Sequence, residues 1–561
     1  MKKIILSLAI LSISLALFAV PAKRGARTFT QPDGTQIEVF AGGDEFHHFF
    51  TDTEGNLLVR NAEGALVKAD AQALAVHRAK AANAASARRT RQSAQFVNLA
   101  PKGLVILVNF SDKEFKYTRN DFNDMLNKTG FDRDGEIGCV REYFYNQSYG
   151  QYQPSFNVVG PVSISKTSSY YAGSNGTDYA YKMIQEACKL VDEQYDVDFT
   201  QYDNDGDGEV DFVFVFYAGY GQADYGDSDC VWPHMWWLNE RSQGGYANYT
   251  ITLDGKKVNM YACTNELTKL GPKYTQEAMA GQATFCHEFS HVLGLPDFYD
   301  TRDNYDSYKT LGQWDIMDMG AYNNDGITPP AYSAYERFYC GWITPTLLNE
   351  DGCYMLPDIN VDGQAFLISS TGEHNLNGEE PNPATFYLLE NRQKVYGSYD
   401  QYLPGSGMLV TKVRYKSSDW ENNIPNNYKQ GNQGVELIEA DGARSQYGDA
   451  GDPFPGKNGV TQTAFLSGYN LTNITLKNQV VFFNLNSSEI CTTYTEPKKV
   501  QWKEFVAGME EVLLDTDTDE KITGIYTITG SLVGTTNPQQ LNNGIYIIRT
   551  NKGAKKINIL N

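Results

Sequence analysis

The chain has 561 residues, of which 41% are apolar, 20% charged and 13% aromatic, and its formal net charge is -21. That length exceeds one compact core and predicts two or three domains plus processing segments, while the apolar share excludes a disordered chain. The acidity argues against nucleic acid, which is held by clustered Lys and Arg that displace phosphate counterions, and favours solubility and calcium binding instead.

Met1-Lys2-Lys3, the apolar run from Ile4 to Val20 and the small residues Ala19 and Ala22 read as a signal peptide over residues 1–22. The run is short and no second span follows it, so secretion to the extracellular space or cell surface is expected and a stable membrane span is not. Residues 23–97 read as a propeptide. Strand-and-turn material around Phe29 to Val67 passes into an Ala-rich helical stretch ending in Arg88-Arg89-Thr90-Arg91, an accessible place to cut. A permanent N-terminal domain is the alternative.

Residues 98–345 read as the catalytic domain. It opens with the continuous apolar run Leu104-Val105-Ile106-Leu107-Val108-Asn109-Phe110, of buried-strand length. A helix near Tyr179 to Tyr195, a second buried strand at Phe212 to Tyr217, a long helix from about Thr275 to Leu293 and another over Pro330 to Tyr339 follow. Over residues 346–495 short apolar segments such as Phe386 to Glu390 and Gly407 to Val413, punctuated by Gly, Asn and Asp, predict a β-rich domain. Residues 496–561 hold the acidic turn Asp515 to Glu520, two short strands at Ile522 to Thr529 and Gly544 to Thr550, and a basic end, which predict a small β-sandwich module. The fold class expected for the whole is α+β. All eight cysteines lie between Cys139 and Cys491 and permit up to four disulfides, in 105 complete pairings that sequence does not distinguish. None forms a CxxC pair, so a cysteine zinc site has no support.

His287-Glu288-Phe289-Ser290-His291 carries the chemistry. Residues i and i+4 leave one helix face together, so both imidazoles can reach one ion, and Glu288 sits where it can touch a metal-bound water without ligating. Gly294 can take the positive φ that leaves a helix sharply and Pro296 prevents its resumption. Asp297 then arrives where a third ligand is needed. Two imidazoles and a carboxylate leave tetrahedral zinc one open position.

The string from His287 to Asp297 resembles the metzincin zinc peptidases, in particular the immune-inhibitor-A-like secreted peptidases, whose third ligand is an aspartate. The resemblance implies His287, His291 and Asp297 as zinc ligands, Glu288 as general base, and a methionine turn at Gly312 to Gly320 with Met317 as its methionine. It extends through much of residues 103–460, including Tyr143-Phe144, Ser148 to Gln151, Val231 to His234, Leu389 to Arg392 and Glu439 to Gly442. The implied activity is a secreted endopeptidase acting on extracellular proteins or peptides. Glu288 would take a proton from zinc-bound water and return it to the leaving amine. Met319 stands where some metzincins place a tyrosine, and Tyr322 and His234 read as structural residues before electrostatic helpers.

Asp203, Asp205, Asp207, Glu209 and Asp211 are spaced like a calcium loop, with Gly208 at its sixth position. Phe214 replaces the closing glutamate, so the loop is not a complete EF-hand. Latency cannot use a pro-segment thiolate, because no cysteine precedes Cys139; Asp44 or Glu45 is the carboxylate candidate. Gly42 to Phe46 also matches a cyclic dinucleotide synthase string, here taken as coincidence of position. The strands and basic tail of residues 496–561 resemble type IX secretion sorting domains, which implies secretion machinery as a partner; an adhesive or carbohydrate-binding module is the alternative. For the whole chain the competing readings are an adhesin or binding protein on an inactive peptidase scaffold, which leaves the intact Glu288 unexplained, and zinc hydrolysis of a non-peptide substrate.

Overall fold

The computed structural model describes residues 21–503 apart from Arg24, 44–47, Ala62, 78–99, 174–175, 225–228, 240–247, 272–274, 302–308, Gln446 and Glu489, and beyond these 522–527, 544–550 and 553–559. Residues up to Trp502 make one compact unit and those from Lys503 a second. Residues 1–20 of the expected signal sequence, the basic cluster 88–91, Asp44, Glu45 and the acidic turn 515–520 lie outside the described residues. No described helix is long and apolar enough to cross a membrane.

The first described element is a five-stranded antiparallel meander from Ala26 to Lys68. Alternation puts Val39, Leu58 and Leu66 into a small core of its own. A helix over 71–77 follows.

The next sheet has the order His234–Trp237, Met260–Leu270, Val213–Tyr220, Lys102–Asn109, Ser155–Ser163, with Gln276–Met279 pairing the end of Met260–Leu270. Its middle pairings are parallel, so both faces must be covered, and the strands read as unbroken apolar runs for that reason. Leu104, Ile106 and Val108 pack under helix Ala180–Tyr195. Val105 and Leu107 face the opposite layer, where Phe285 and Phe289 of helix Gln282–Val292 pack.

Two expected helices are shorter than their sequence pattern. Over Gln276–Met279 the chain is a strand paired with Leu267 to Leu270, and the helix begins only at Gln282. Pairing to an open sheet edge overrides the helical propensity of Gln276, Glu277 and Met279. Helix Ala334–Tyr339 likewise starts after the two prolines, where Ser333 and Glu336 form a reciprocal capping box.

In residues 346–495 a five-stranded sheet, Thr346–Leu347, Phe366–Ile368, Thr385–Arg392, Gly407–Arg414 and Val435–Leu437, faces a four-stranded one built on Gly352–Leu356 and Val480–Leu485. Phe366, Leu389, Val410 and Phe483 fill the space between them. The alternate residues Leu367, Leu388, Leu409 and Val435 point the other way and join the core that includes Phe289 and Met317. One disulfide, Cys353–Cys491, is formed, whereas Cys139, Cys188, Cys263 and Cys286 are buried thiols. The second unit shows one antiparallel sheet of three strands, Ile522–Thr527, Gly544–Thr550 and Gly553–Ile559, among its described residues. The expectation was of two strands in a sandwich.

Candidate metal centre

Helix Gln282–Val292 is buried on nearly every side. It starts at Gly281, where a Cβ would lie 2.3 Å from the Gly326 carbonyl oxygen, so glycine alone permits the approach. At its first turn the Glu136 carboxylate accepts the Gln282 N–H. Phe285 and Phe289 lock the helix to the sheet through Phe214, at 4.0 Å between ring centroids, and Phe212, at 4.9 Å. His287 and His291 come two residues later, about 200° further round the helix, and so leave the opposite face.

The exit matches the reading of the sequence. Gly294 has φ +110°, and its N–H and that of Leu295 donate to the carbonyls of His291 and Ser290 at 3.0 and 3.1 Å. The turn also aims a carbonyl back at the helix. His291 Nδ1 lies 2.8 Å from Leu295 O, and His287 Nδ1 lies 2.7 Å from Ile316 O in the methionine turn. Each contact assigns the ring proton to Nδ1 and leaves the Nε2 lone pair for a ligand.

Asp297 then closes a triangle. His287 Nε2 and His291 Nε2 are 3.2 Å apart, and Asp297 Oδ1 is 3.2 and 3.4 Å from them. Tetrahedral zinc with ligand distances of about 2.0–2.1 Å needs ligand-to-ligand edges of about 3.3–3.4 Å. Asp297 Oδ1 is buried and meets no hydrogen-bond donor of conventional geometry among the described residues, only those two ring nitrogens. The three groups fit a zinc ion. Burial alone would raise the Asp297 carboxyl, but the neighbouring His291 and His287 hold it at about 2. Burial lowers His291, although Asp297 partly opposes that shift. Both shifts favour the ligating forms, a carboxylate and a neutral imidazole.

Glu288 is fully buried one position after His287. Met317 is buried in its turn; its N–H donates to Asp315 Oδ1 at 2.8 Å and its carbonyl accepts the Phe298 N–H at 2.8 Å. The turn is braced from residues beyond 345. Trp314 Nε1 donates to Asp452 at 2.8 Å, and Arg392, wholly buried, donates to Asp400 through Nε and Nη2 and to Ala331 O at 2.8 Å.

The possible helpers have structural partners. His234 contacts Trp232 O at 2.7 Å and the Tyr261 hydroxyl at 3.0 Å, and burial lowers its pKa to about 4. The Tyr322 hydroxyl donates to Pro21 O at 2.6 Å, and Ala22 and Lys23 lie beside it. Lys23 N–H donates to Ala223 O, and its ammonium approaches Asp224 at 3.5 Å.

Of the acidic loop, Asp203, Asp205 and Asp211 bring carboxylate oxygens within 4.8 Å of one another. Asp207 and Glu209 do not join that group. Lys256 Nζ reaches Asp203 at 2.5 Å and Lys257 pairs with Glu209. Burial raises Asp211 to about 6.

Residues 98–342 match the family profile described as Immune inhibitor A peptidase M6, catalytic domain. The match places a metallopeptidase domain, a peptide-bond hydrolase by class, within the chain. The chain is 26% identical over 220 residues to the Pre-pro-metalloprotease PrtV of Vibrio cholerae serotype O1, covering 35% of this chain and 23% of that protein. To Immune inhibitor A of Bacillus thuringiensis subsp. alesti it is 25% identical over 279 residues, covering 42% of this chain and 39% of the other. The aligned part thus spans between about a quarter and two fifths of those relatives.

The structure adds partners that spacing does not show. Ile316 O and Leu295 O orient the imidazoles, Glu136 meets the helix start, and Asn423 touches Asp297. Asn423 lies in the polar string Asn422-Asn423-Ile424-Pro425-Asn426-Asn427, which carries no chemical signal of its own.

Proposed function

We propose that the chain is a secreted zinc endopeptidase that cleaves extracellular proteins or peptides. The triangle of His287 Nε2, His291 Nε2 and Asp297 Oδ1, with edges of 3.2–3.4 Å, carries this reading, and the relative named a metalloprotease agrees with it in class. These three residues would hold the ion, and Met317 belongs to the turn that supports His287 through Ile316. Zinc, when bound, polarises the scissile carbonyl and acidifies water. Glu288, adjoining His287 on the buried helix, takes a proton as general base and delivers it to the departing amine. The propeptide, signal peptide and C-terminal sorting assignments belong to the same proposal.

The test is cleavage of casein together with zinc content. Wild type is expected to hold one zinc and to cleave; Glu288→Gln should keep the zinc and lose about 10²–10⁴-fold in kcat. Cleavage that survives both Glu288→Gln and chelation would end the proposal.

The three convergent carboxylates support a structural calcium at Asp203, Asp205 and Asp211, with the ion competing against the Lys256 ammonium. A calcium chelator is then expected to lower the melting temperature of wild type and to leave Asp205→Asn/Asp211→Asn unmoved.

A further inference from the structure

Among the three candidate ligands, Asp297 is held differently from the histidines. Each imidazole is oriented by a backbone carbonyl, Leu295 O four residues from His291 and Ile316 O 29 residues from His287. The Asp297 carboxylate is oriented by a side chain 126 residues away, Asn423. The Asn423 Nδ2 donates to Asp297 Oδ2 at 2.5 Å, and the Asn423 Oδ1 accepts the Asp297 backbone N–H at 2.6 Å. These two bonds also decide the carboxamide orientation, because a flipped amide would set its NH2 against a backbone N–H and its oxygen against a carboxylate. Both residues are buried.

We infer that Asn423 is a positioning residue for the metal: it occupies Asp297 Oδ2 and so presents Oδ1 alone to the two imidazoles as a one-oxygen ligand. The inference rests on the zinc reading of the triad. A carboxylate left to rotate offers either oxygen or both, whereas one pinned through Oδ2 and its own backbone keeps the tetrahedral count of three protein ligands. The backbone at 423 is built for this role. Asn423 has φ +52°, a conformation that Asn tolerates better than most residues. Its neighbours tie the same loop to the chain that follows the ligand, with Asn426 Nδ2 donating to Phe298 O at 2.7 Å and Asn427 Oδ1 accepting the Thr301 N–H at 2.9 Å. Asn423 lies outside the family-matched residues 98–342, so metal retention depends on a loop of the β-rich region. By linkage, the ion in turn strengthens the docking of that loop.

The test measures zinc dissociation constants of the full chain by competition with a chromogenic chelator, with metal content as a check. Asn423→Gly keeps the positive φ and removes only the carboxamide. It is expected to weaken zinc about 10–100-fold, with wild-type circular dichroism and a smaller zinc-induced rise in melting temperature. Asn423→Asp keeps the acceptor for the backbone N–H but sets an oxygen against Oδ2, and should weaken zinc at least as much. Asn427→Ala loosens the same loop without touching Asp297 and should stay within about two-fold of wild type. kcat should fall in the Asn423 variants more than KM rises, with partial recovery at high zinc. Wild-type affinity in either Asn423 variant, or an equal loss in Asn427→Ala, overturns the role of Asn423. A wild-type protein that holds no zinc overturns the zinc reading itself, so the two failures are distinguishable.

Discussion

Glu136 shows how far burial moves a single group at the start of helix Gln282–Val292. Burial drives its carboxyl up to about 8, and the Gln282 N–H and Arg133 offset this only in part. The folded chain therefore binds a proton that the unfolded chain releases near pH 4.5, and stability falls as pH rises from about 4.5 through about 8. Each pH unit in that window corresponds to about 1.4 kcal/mol. Urea midpoints measured from pH 5 to 9 should decline for wild type and decline less for Glu136→Gln, which should be the more stable protein at pH 8. At this scale His287, Glu288, His291 and Asp297 were legible because helix periodicity and a Gly-Pro exit are local rules. Asn423 and Glu136 were not, since a partner in a remote part of the chain leaves no periodic trace.

Elements tell the same story at their boundaries. The sequence pattern runs a single helix from about Thr275, yet the chain stays extended to Met279 because Leu267 to Leu270 offers an unpaired edge. The joint between strand and helix is Gly281, pressed against Gly326 O. Gly281→Ala should cost about 2–3 kcal/mol in chemical denaturation by forcing those backbones apart, and should release zinc more readily, because Gly326 follows the methionine turn. Ser333→Ala removes the cap of helix Ala334–Tyr339 together with the hydroxyl that donates to Asp315 Oδ2 at 3.3 Å, and should cost about 1–2 kcal/mol in chemical denaturation. The buried strands Leu104 to Phe110 and Phe212 to Tyr217 were readable as such, since a parallel sheet covered on both faces needs continuous apolar text.

Across the whole molecule, residues 98–345 and 346–495 share one core. The five-stranded sheet sends Leu367, Leu388 and Leu409 into the core shared by Phe289 and Met317, and Arg392, paired with Asp400, approaches the Trp314 carbonyl at 3.5 Å. Arg392→Met should destabilise the chain by about 3–5 kcal/mol, because Asp400 is left buried without its countercharge. A chain cut to residues 98–345 should expose that apolar face and aggregate, whereas residues 21–502 should remain soluble; light scattering distinguishes the two outcomes.

By itself the sequence determined which helix face carries His287 and His291, the exit at Gly294 and the alternation of buried strands with helices, because each follows from backbone geometry over a few residues. Tertiary structure alone decided that Gln276–Met279 is a strand, that only three of the five acidic-loop carboxylates converge, and that the β-rich region reaches Asp297 through Asn423. Those outcomes depend on which surfaces meet after the chain has folded back on itself, and no local spacing records them.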